Sequence, residues 1–315
     1  MHPFLFEVFG RRFGTYGLFV ILGAAAAWFL VRMLADKKDK DISLIFFICI
    51  CGGLIGAFAL RPLTRIPEVI IHWQHFRQIP VEAFISYFFG EIVFYGGLIG
   101  GIVAMVIFCR GFKIQILPVA DIFAPSLALA HGFGRIGCFL SGCCYGIAVS
   151  ESHPLAVVFP PHSIGSPSGV PLLAMQLIEA ACLFILSILL TFVYKRTRRT
   201  TTRAFPRLKV TRQTNSKAMK SAHSPKEVNE TEQSSVAYPP CSGVVACLYG
   251  LLYSVLRFIL EFYRGDSMRG IYGVLSTSQI ISIALFATSA VMLIILVKRY
   301  MKMCASMPIC RQSPQ

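Results

Sequence analysis

Arg135 stands in an otherwise apolar segment, within the glycine-rich run HGFGRIGCFLSGCCYG at residues 131–146. The glycines of this run permit close backbone approach and irregular turns. A guanidinium can hold a phosphate through two parallel hydrogen bonds, a geometry that lysine does not match. Arg135 is therefore a candidate phosphate ligand. The alternative is an ion pair with Asp121, earlier in the same segment, that serves packing alone.

A second polar stripe runs through the apolar segment 249–266. Tyr249, Tyr253, Arg257 and Glu261 recur every four residues, which places them along one face of a helix. Such a face must point at other protein or at water. We interpret Arg257 as a second guanidinium that faces a phosphate together with Arg135. The alternative is a structural pair between Arg257 and Glu261.

Two weaker signals accompany the arginines. Tyr95 opens a glycine-rich stretch, and Gln176 with Glu179 lies in another apolar segment. The stretch after Tyr95 contains two overlapping Gly-xxx-Gly spacings, formed by Gly96, Gly97, Gly100 and Gly101, and Gly52 with Gly56 makes a third. This spacing is typical of closely packed membrane helices, so the glycines predict a packing surface, with Tyr95 at its edge.

Three clustered cysteines, Cys138, Cys143 and Cys144, support a competing hypothesis. They could ligate zinc, form a disulfide, or accept an acyl or redox partner. The Cys-x4-Cys-Cys spacing offers no obvious fourth zinc ligand, and a metal-free site is expected. The alternatives are therefore a membrane thiol or redox protein and a non-catalytic lipid-binding protein.

These side chains are expected to be positioned by membrane helices. The 315-residue chain is 55% hydrophobic and only 14% charged, with a mean hydropathy of +0.66, whereas a soluble protein carries nearly twice that charged fraction. Its apolar blocks have the length that crosses a bilayer. The sequence predicts an all-α polytopic membrane protein of about seven spans, near residues 15–34, 43–61, 83–109, 119–140, 172–194, 243–263 and 277–297.

The charge distribution predicts the orientation of the spans. With seven spans, most of the 30 Lys and Arg residues fall on one side, which short basic loops identify as cytoplasmic. The N-terminus is then outside and the C-terminus inside. The +15 net charge reflects topology and attraction to anionic lipid, and nucleic acid is not an expected partner. We expect residues 1–194 and 239–299 to form one transmembrane domain, 195–238 a basic disordered cytoplasmic loop, and 300–315 a short tail.

Taken in order along the chain, these pieces resemble the bacterial prolipoprotein diacylglyceryl transferases over nearly all of the chain outside 195–238. The matching residues are Tyr16-Gly17-Leu18, Gly96-Gly97-Leu98-Ile99-Gly100, Asp121 with Pro125, Gly134-Arg135-Ile136-Gly137, Phe139, Gly142, Gly146, Gln176-Leu177, Glu179, Tyr253, Arg257-Phe258, Glu261-Phe262, Arg264 and Gln279. The ordered set is far more specific than any one piece.

The resemblance implies a transferase of the bacterial inner membrane that moves the diacylglyceryl group of phosphatidylglycerol onto the lipobox cysteine of a prolipoprotein signal peptide, without a cofactor. The residues it implies in catalysis are Arg135, Arg257, Tyr253, Glu261 and Tyr95. Those it implies in phosphatidylglycerol binding are Arg135, Arg257, Asp121, Gly137, Gly146, Tyr16, Gln176 and Glu179.

Three positions depart from the family's usual pattern. Cys138 stands where an Asn is usual, Cys143 where a Glu is usual, and Tyr95 where the family has a His that is a leading candidate for the base. Tyrosine, with an unperturbed pKa near 10, is a poorer base at neutral pH. His131 could take over that role only if the fold brings it close to the site. The remaining alternatives are a slow enzyme, an enzyme with a changed donor or acceptor, and an inactive homologue.

Overall fold

The computed structural model describes residues 4–8, 11–36, 41–71, 94–161, 163, 165–204, 242–265, 271–272 and 274–306. These residues contain seven α-helices. They are α1 Thr15–Leu34, α2 Asp41–Ile71, α3 Phe94–Gly111, α4 Ile116–Ser141, α5 Met175–Ala204, α6 Val244–Leu260 and α7 Thr277–Ser306. A single turn of 3₁₀ helix, Glu261–Tyr263, continues α6.

Large apolar side chains cover the outer faces of the helices. Phe29, Ile55, Ile107 and Ile188 are each more than 60% exposed, an arrangement suited to lipid rather than to water. Six helices are long and apolar enough to cross a membrane, and Tyr95–Gly111 is a shorter apolar helix. The all-α polytopic class is confirmed. The count of seven spans and the orientation stay predictions, and part of the predicted third span, 83–93, lies outside the described residues.

Helix α4 is the central element of the bundle. It packs against α1, α5 and α6, and half of its apolar stretch is buried, a larger share than in any other candidate span. The core follows α4 along its length, from a cluster around Val119 and Ile122, through Ala128, to a cluster around Met175 beside its far end. Side chains on α4 are therefore held by neighbours on several sides.

Helices α2 and α3 pack through their glycines. A Cβ atom on Gly56 would lie 2.8 Å from the Gly100 Cα, and one on Gly100 would lie 2.9 Å from the Gly56 Cα. Real Cβ atoms do not approach so closely, so the backbones touch only because both residues are glycine. This confirms the packing surface predicted from the Gly-xxx-Gly spacings.

The predicted basic loop begins as helix. Helix α5 continues to Ala204, past the predicted end of the span at 194. Arg198 donates a hydrogen bond to the Leu34 carbonyl (2.8 Å) and pairs with Asp36, which ties the end of α5 to the end of α1. The rest of the predicted loop, 205–238, lies outside the described residues. Helix α7 likewise runs to Ser306, into the predicted tail.

Three short antiparallel hairpins lie at the end of the bundle where α1, α5 and α7 begin. Strands β1 (Phe4–Val8) and β2 (Arg11–Gly14) precede α1, β3 (Ala156–Val158) and β4 (Pro171–Leu173) lie between α4 and α5, and β5 (Ile271–Tyr272) and β6 (Leu275–Ser276) lie between α6 and α7. β6 leads into a capping box at the start of α7. The Ser276 backbone N–H donates to the Gln279 side chain (2.9 Å), and the Gln279 N–H donates to the Ser276 hydroxyl (3.2 Å).

Candidate active site

The candidate site lies at the end of the bundle that carries the hairpins. α4 contributes Arg135 from about its last two turns, α5 contributes Gln176 and Glu179 from its start, and α6 contributes Arg257 near its end. Consecutive antiparallel helices place the end of one beside the start of the next. The structure thus brings both predicted arginines to the same membrane face, the face on which the chain enters α1.

A chain of alternating charges forms the centre of the site. Arg135 Nη2 lies 2.9 Å from Glu179 Oε1, Arg257 Nη1 lies 3.6 Å from Glu179 Oε2, and Arg257 Nη2 lies 2.8 Å from Glu261 Oε2. Both carboxylates are almost fully buried, with side chains 3% and 2% exposed, and the arginine side chains are 13% and 8% exposed. Buried charges persist only when they are paired. Each arginine here has a carboxylate partner.

Ser278, at the start of α7, completes the surroundings of Arg257. The guanidinium donates a hydrogen bond from Nη2 to the Ser278 hydroxyl at 3.1 Å. Sequence analysis missed Ser278, although the Ser-x-x-Gln spacing of Ser276 and Gln279 is a recognisable helix-start signal that places Ser278 in the first turn.

The ion pairs leave donors unused. Among the described residues, Arg135 Nε and Arg257 Nη1 are buried side-chain atoms without a hydrogen-bond partner. Glu179 Oε1, although 2.9 Å from Arg135, does not receive a hydrogen bond of good geometry. Buried polar groups are rarely left unsatisfied in a native protein without a reason. Two guanidiniums that share one carboxylate and each keep an unused donor can donate hydrogen bonds to anionic oxygens of a ligand.

Aromatic residues form one wall beside the arginines. Tyr249 and Tyr253 stack with ring centroids 5.7 Å apart and planes 7° apart. The His131 ring, one helical turn before Arg135, meets Tyr253 edge to face at 5.4 Å. Tyr95 lies in the first turn of α3. His131 and Tyr253 thus share a contact that the sequence spacing did not reveal.

The loop after α4 is tightly anchored. Gly142 ends the helix in the left-handed conformation (φ +74°), and its N–H donates to the Phe139 carbonyl at 3.2 Å. This turn requires glycine, because a left-handed conformation strains other residues. The Gln176 side chain donates to the Cys143 carbonyl at 2.6 Å, and the Gly146 N–H donates to the Leu173 carbonyl at 3.0 Å. Gln176 therefore supports the loop from α5.

The three clustered cysteines converge in this loop. The Sγ atoms of Cys138, Cys143 and Cys144 all lie within 4.8 Å of one another, and none is in a disulfide. Hydrogen bonds from Cys138 and Cys143, and then the guanidiniums of Arg264 and Arg135, hold the pKa of the Cys144 thiol below its usual range despite burial. The cluster therefore lies in the electrostatic field of two guanidiniums.

Two predicted binding glycines serve packing in this structure. A Cβ on Gly137 would lie 3.2 Å from the Tyr16 ring, and one on Gly146 would lie 2.8 Å from the Leu173 carbonyl oxygen. Gly137 lets α1 approach α4, which places Tyr16 beside the cysteine loop. Gly146 lies where the loop passes between Leu173 and Tyr263.

Asp121 does not lie with the arginines. It is fourteen residues before Arg135 on the same helix, about 21 Å along the axis. Its carboxylate accepts hydrogen bonds from the backbone N–H groups of Gly243 (2.6 Å) and Ala246 (2.9 Å). Asp121 thus caps the start of α6 at the opposite end of the bundle. It forms these hydrogen bonds instead of the ion pair with Arg135 and instead of the contact with the lipid that the sequence suggested.

Comparisons with known proteins agree with this arrangement. The family model described as prolipoprotein diacylglyceryl transferase matches residues 3–208 and 232–295. The chain belongs to the prolipoprotein diacylglyceryl transferase family. The matched ranges include Arg135, Glu179, Arg257, Glu261 and Ser278.

Individual relatives cover nearly the whole chain. A phosphatidylglycerol–prolipoprotein diacylglyceryl transferase from Clostridium tetani is 32% identical over 286 residues, which is 90% of this chain and 93% of the relative. The second such enzyme from Clostridium perfringens is 29% identical over 90% of this chain and 91% of its own, and one from Geobacter sulfurreducens is 26% identical over 94% and 96%. Family membership and the apolar helices identify a multi-pass protein of the bacterial inner membrane.

Proposed function

We propose that this chain transfers the diacylglyceryl group of phosphatidylglycerol to the lipobox cysteine thiol of prolipoproteins, at the outer face of the inner membrane. The relatives described above bear that activity in their names. The placement of the site at the face where α1 begins supports the outer location, together with the orientation predicted from the basic residues.

The observation that carries the proposal is the pair of spare donors on Arg135 and Arg257. Both guanidiniums are bridged by Glu179, and Arg135 Nε and Arg257 Nη1 lack hydrogen-bond partners among the described side chains. A phosphodiester has two non-bridging oxygens that share one negative charge, and these can receive one hydrogen bond from each arginine. The lipid-facing surface of the bundle lets the acyl chains remain in the bilayer while the headgroup enters.

The reaction joins sulfur to carbon and releases a phosphate. The acceptor thiol loses its proton, and the thiolate attacks the glycerol carbon that carries the phosphate ester. An S–C bond forms as the C–O bond breaks, and glycerol phosphate leaves with the electron pair of that bond. Negative charge increases on the phosphate oxygens during this step, so fixed guanidiniums in a buried site stabilise the transition state more than the bound lipid.

The remaining residues hold this arrangement. Glu179 and Glu261 orient the two arginines, and Ser278 fixes Arg257 from α7. In this proposal, Tyr253 and Tyr95 contact the glycerol part of the lipid. Gln176 acts through the loop that it supports rather than by touching the lipid.

A transfer assay tests the proposal. Proteoliposomes would contain phosphatidylglycerol labelled in its acyl chains, with a lipobox peptide as acceptor. We expect label on the peptide cysteine with the wild-type protein, and a loss of at least about 100-fold with Arg135→Ala or Arg257→Ala. Arg198→Ala is the matched control, because Arg198 is also paired with a carboxylate but lies at the opposite end of the bundle.

The cysteine cluster favours a second candidate, a membrane thiol or redox protein. That function predicts that alkylation of Cys138, Cys143 and Cys144 abolishes activity while Arg257→Ala is tolerated. Transferase chemistry predicts dependence on the arginine. Wild-type protein that is folded yet transfers no label from any anionic donor would overturn the transferase and leave the thiol function.

A further inference from the structure

We propose that Cys138, Cys143 and Cys144 bind one zinc ion through three thiolates and leave its fourth position open for the acceptor cysteine thiol. The inference rests on the proposed diacylglyceryl transfer and supplies the activation of its nucleophile. It departs from the metal-free site expected from the sequence.

The three sulfur atoms already converge. Their Sγ atoms lie within 4.8 Å of one another, and in a zinc tetrahedron with Zn–S bonds of about 2.3 Å the sulfurs are about 3.8 Å apart. Side-chain movements of about 1 Å would bring the sulfur atoms to the separation found around zinc. Thiolate sulfur is a ligand type that selects zinc and other soft metals.

The backbone around the sulfurs holds them together. The left-handed Gly142 turns the chain back at the end of α4, so that the Cys143 N–H donates to the Cys138 carbonyl at 3.1 Å. Cys144 also has a positive φ of 60°, an uncommon conformation for a residue with a side chain. Gln176 holds the Cys143 carbonyl from α5. A non-glycine residue held in this conformation within an anchored loop is typical of functional sites.

The cluster adjoins the arginines. Cys138 follows Arg135 by one helical turn on α4, and Arg264 pairs through its backbone with Gly146 in the same loop. Three thiolates on a zinc ion carry a net negative charge, which these cations offset. In-line attack requires a thiol bound at the fourth position to reach the glycerol carbon from the side opposite the phosphate that the guanidiniums hold.

Zinc with three protein ligands and one open position is the arrangement of catalytic rather than structural zinc. A thiol that binds zinc is deprotonated outright, which supplies the nucleophile without a basic side chain. The two buried carboxylates near Arg135 and Arg257 are engaged by those arginines, so neither is a ready base. The proton of the acceptor thiol passes to water or to the departing phosphate monoester. The thioether product carries no negative charge and releases the zinc.

The first test measures zinc directly. Protein purified in detergent with a reductant and without chelator would be analysed by mass spectrometry of its metals. We expect about one zinc per chain in the wild type and in Cys51→Ser, whose cysteine is exposed on α2, and less than a tenth of that in the Cys138→Ser/Cys143→Ser/Cys144→Ser variant. Wild-type protein without zinc that also fails to take up added zinc would overturn the proposal, as would a disulfide among the three cysteines.

The second test asks whether the acceptor thiol enters the metal site. Cobalt(II) would replace zinc, because cobalt–thiolate bonds absorb light. A lipobox peptide with cysteine is expected to strengthen that absorption, whereas the same peptide with serine leaves it unchanged. Equal spectra with the two peptides would overturn the open fourth position.

Activity separates this inference from the proposed function. Transfer that falls at least tenfold after chelation and returns with added zinc supports the metal site. Transfer that survives complete zinc removal in the wild type overturns the role of zinc in activating the thiol and leaves the transferase intact. Zinc binding with a peptide-dependent cobalt spectrum but no transfer would keep the metal site and overturn the transferase.

Discussion

The Arg257 guanidinium contacts Glu179, Glu261 and Ser278. Because lysine cannot present several donors in a fixed plane, we expect Arg257→Lys to lower the transfer rate by at least about tenfold while the protein stays folded. Initial rates at varied phosphatidylglycerol, with Arg198→Lys as the control, measure this. A lysine variant with the wild-type rate would show that positive charge alone is sufficient.

We expect Asp121 to contribute to stability rather than to chemistry. Its carboxylate receives two backbone N–H groups at the start of α6, so Asp121→Ala is expected to cost about 1–3 kcal/mol of unfolding free energy. Transfer per folded molecule should change less than twofold. Thermal unfolding in detergent, with Asp121→Asn as the milder variant that keeps an acceptor, checks the first expectation. A stable Asp121→Ala protein that has lost transfer would return Asp121 to the active site.

Residue types predicted part of this arrangement. Arginine and glutamate in apolar segments indicated a polar interior, and the structure brings Arg135, Arg257, Glu179 and Glu261 together. An ion pair between Asp121 and Arg135 was considered because both residues lie in one apolar segment. Fourteen residues separate them, however, so they lie at opposite ends of α4. The convergence of the cysteines could not be predicted, because it depends on the left-handed turn at Gly142.

Helices α2 and α3 approach each other closely where their glycines face one another. Gly56→Ala would place a Cβ 2.8 Å from the Gly100 Cα, so the helices must separate. We expect a loss of about 1–3 kcal/mol in unfolding free energy. Gly111→Ala, at the end of α3 with nothing within 4 Å of the added Cβ, is the control. Equal unfolding temperatures for the two variants in detergent would contradict this account of the interface.

The sequence predicted the presence of the helices better than the residues at which they begin and end. The apolar blocks indicated the described helices because a bilayer fixes the length of an apolar helix, and Arg135 did not interrupt α4 because α5 supplies Glu179 as its partner. Helix α5 extends to Ala204 beyond its apolar block, since hydropathy marks the membrane boundary and not the last helical turn. Hydropathy also gives little sign of short hairpins.

The candidate active site lies at one face of the helix bundle. The ends of α4 and α6 and the starts of α1, α5 and α7 meet there, and the basic residues predict that this face is external. An epitope inserted after Ser152, in the loop between α4 and α5, is expected to bind antibody on intact spheroplasts. One inserted after Ser221, in the predicted cytoplasmic loop, should bind only after permeabilisation. The reverse pattern would contradict the predicted orientation.

The most direct test of the central claim is transfer of labelled diacylglyceryl from phosphatidylglycerol to a lipobox peptide by wild-type protein, Arg135→Ala, Arg257→Ala and Arg198→Ala in the same proteoliposomes. The proposed phosphate clamp predicts transfer by the wild type and Arg198→Ala, and a loss of at least about 100-fold in each of the other two. Full transfer by folded Arg135→Ala or Arg257→Ala would contradict the clamp.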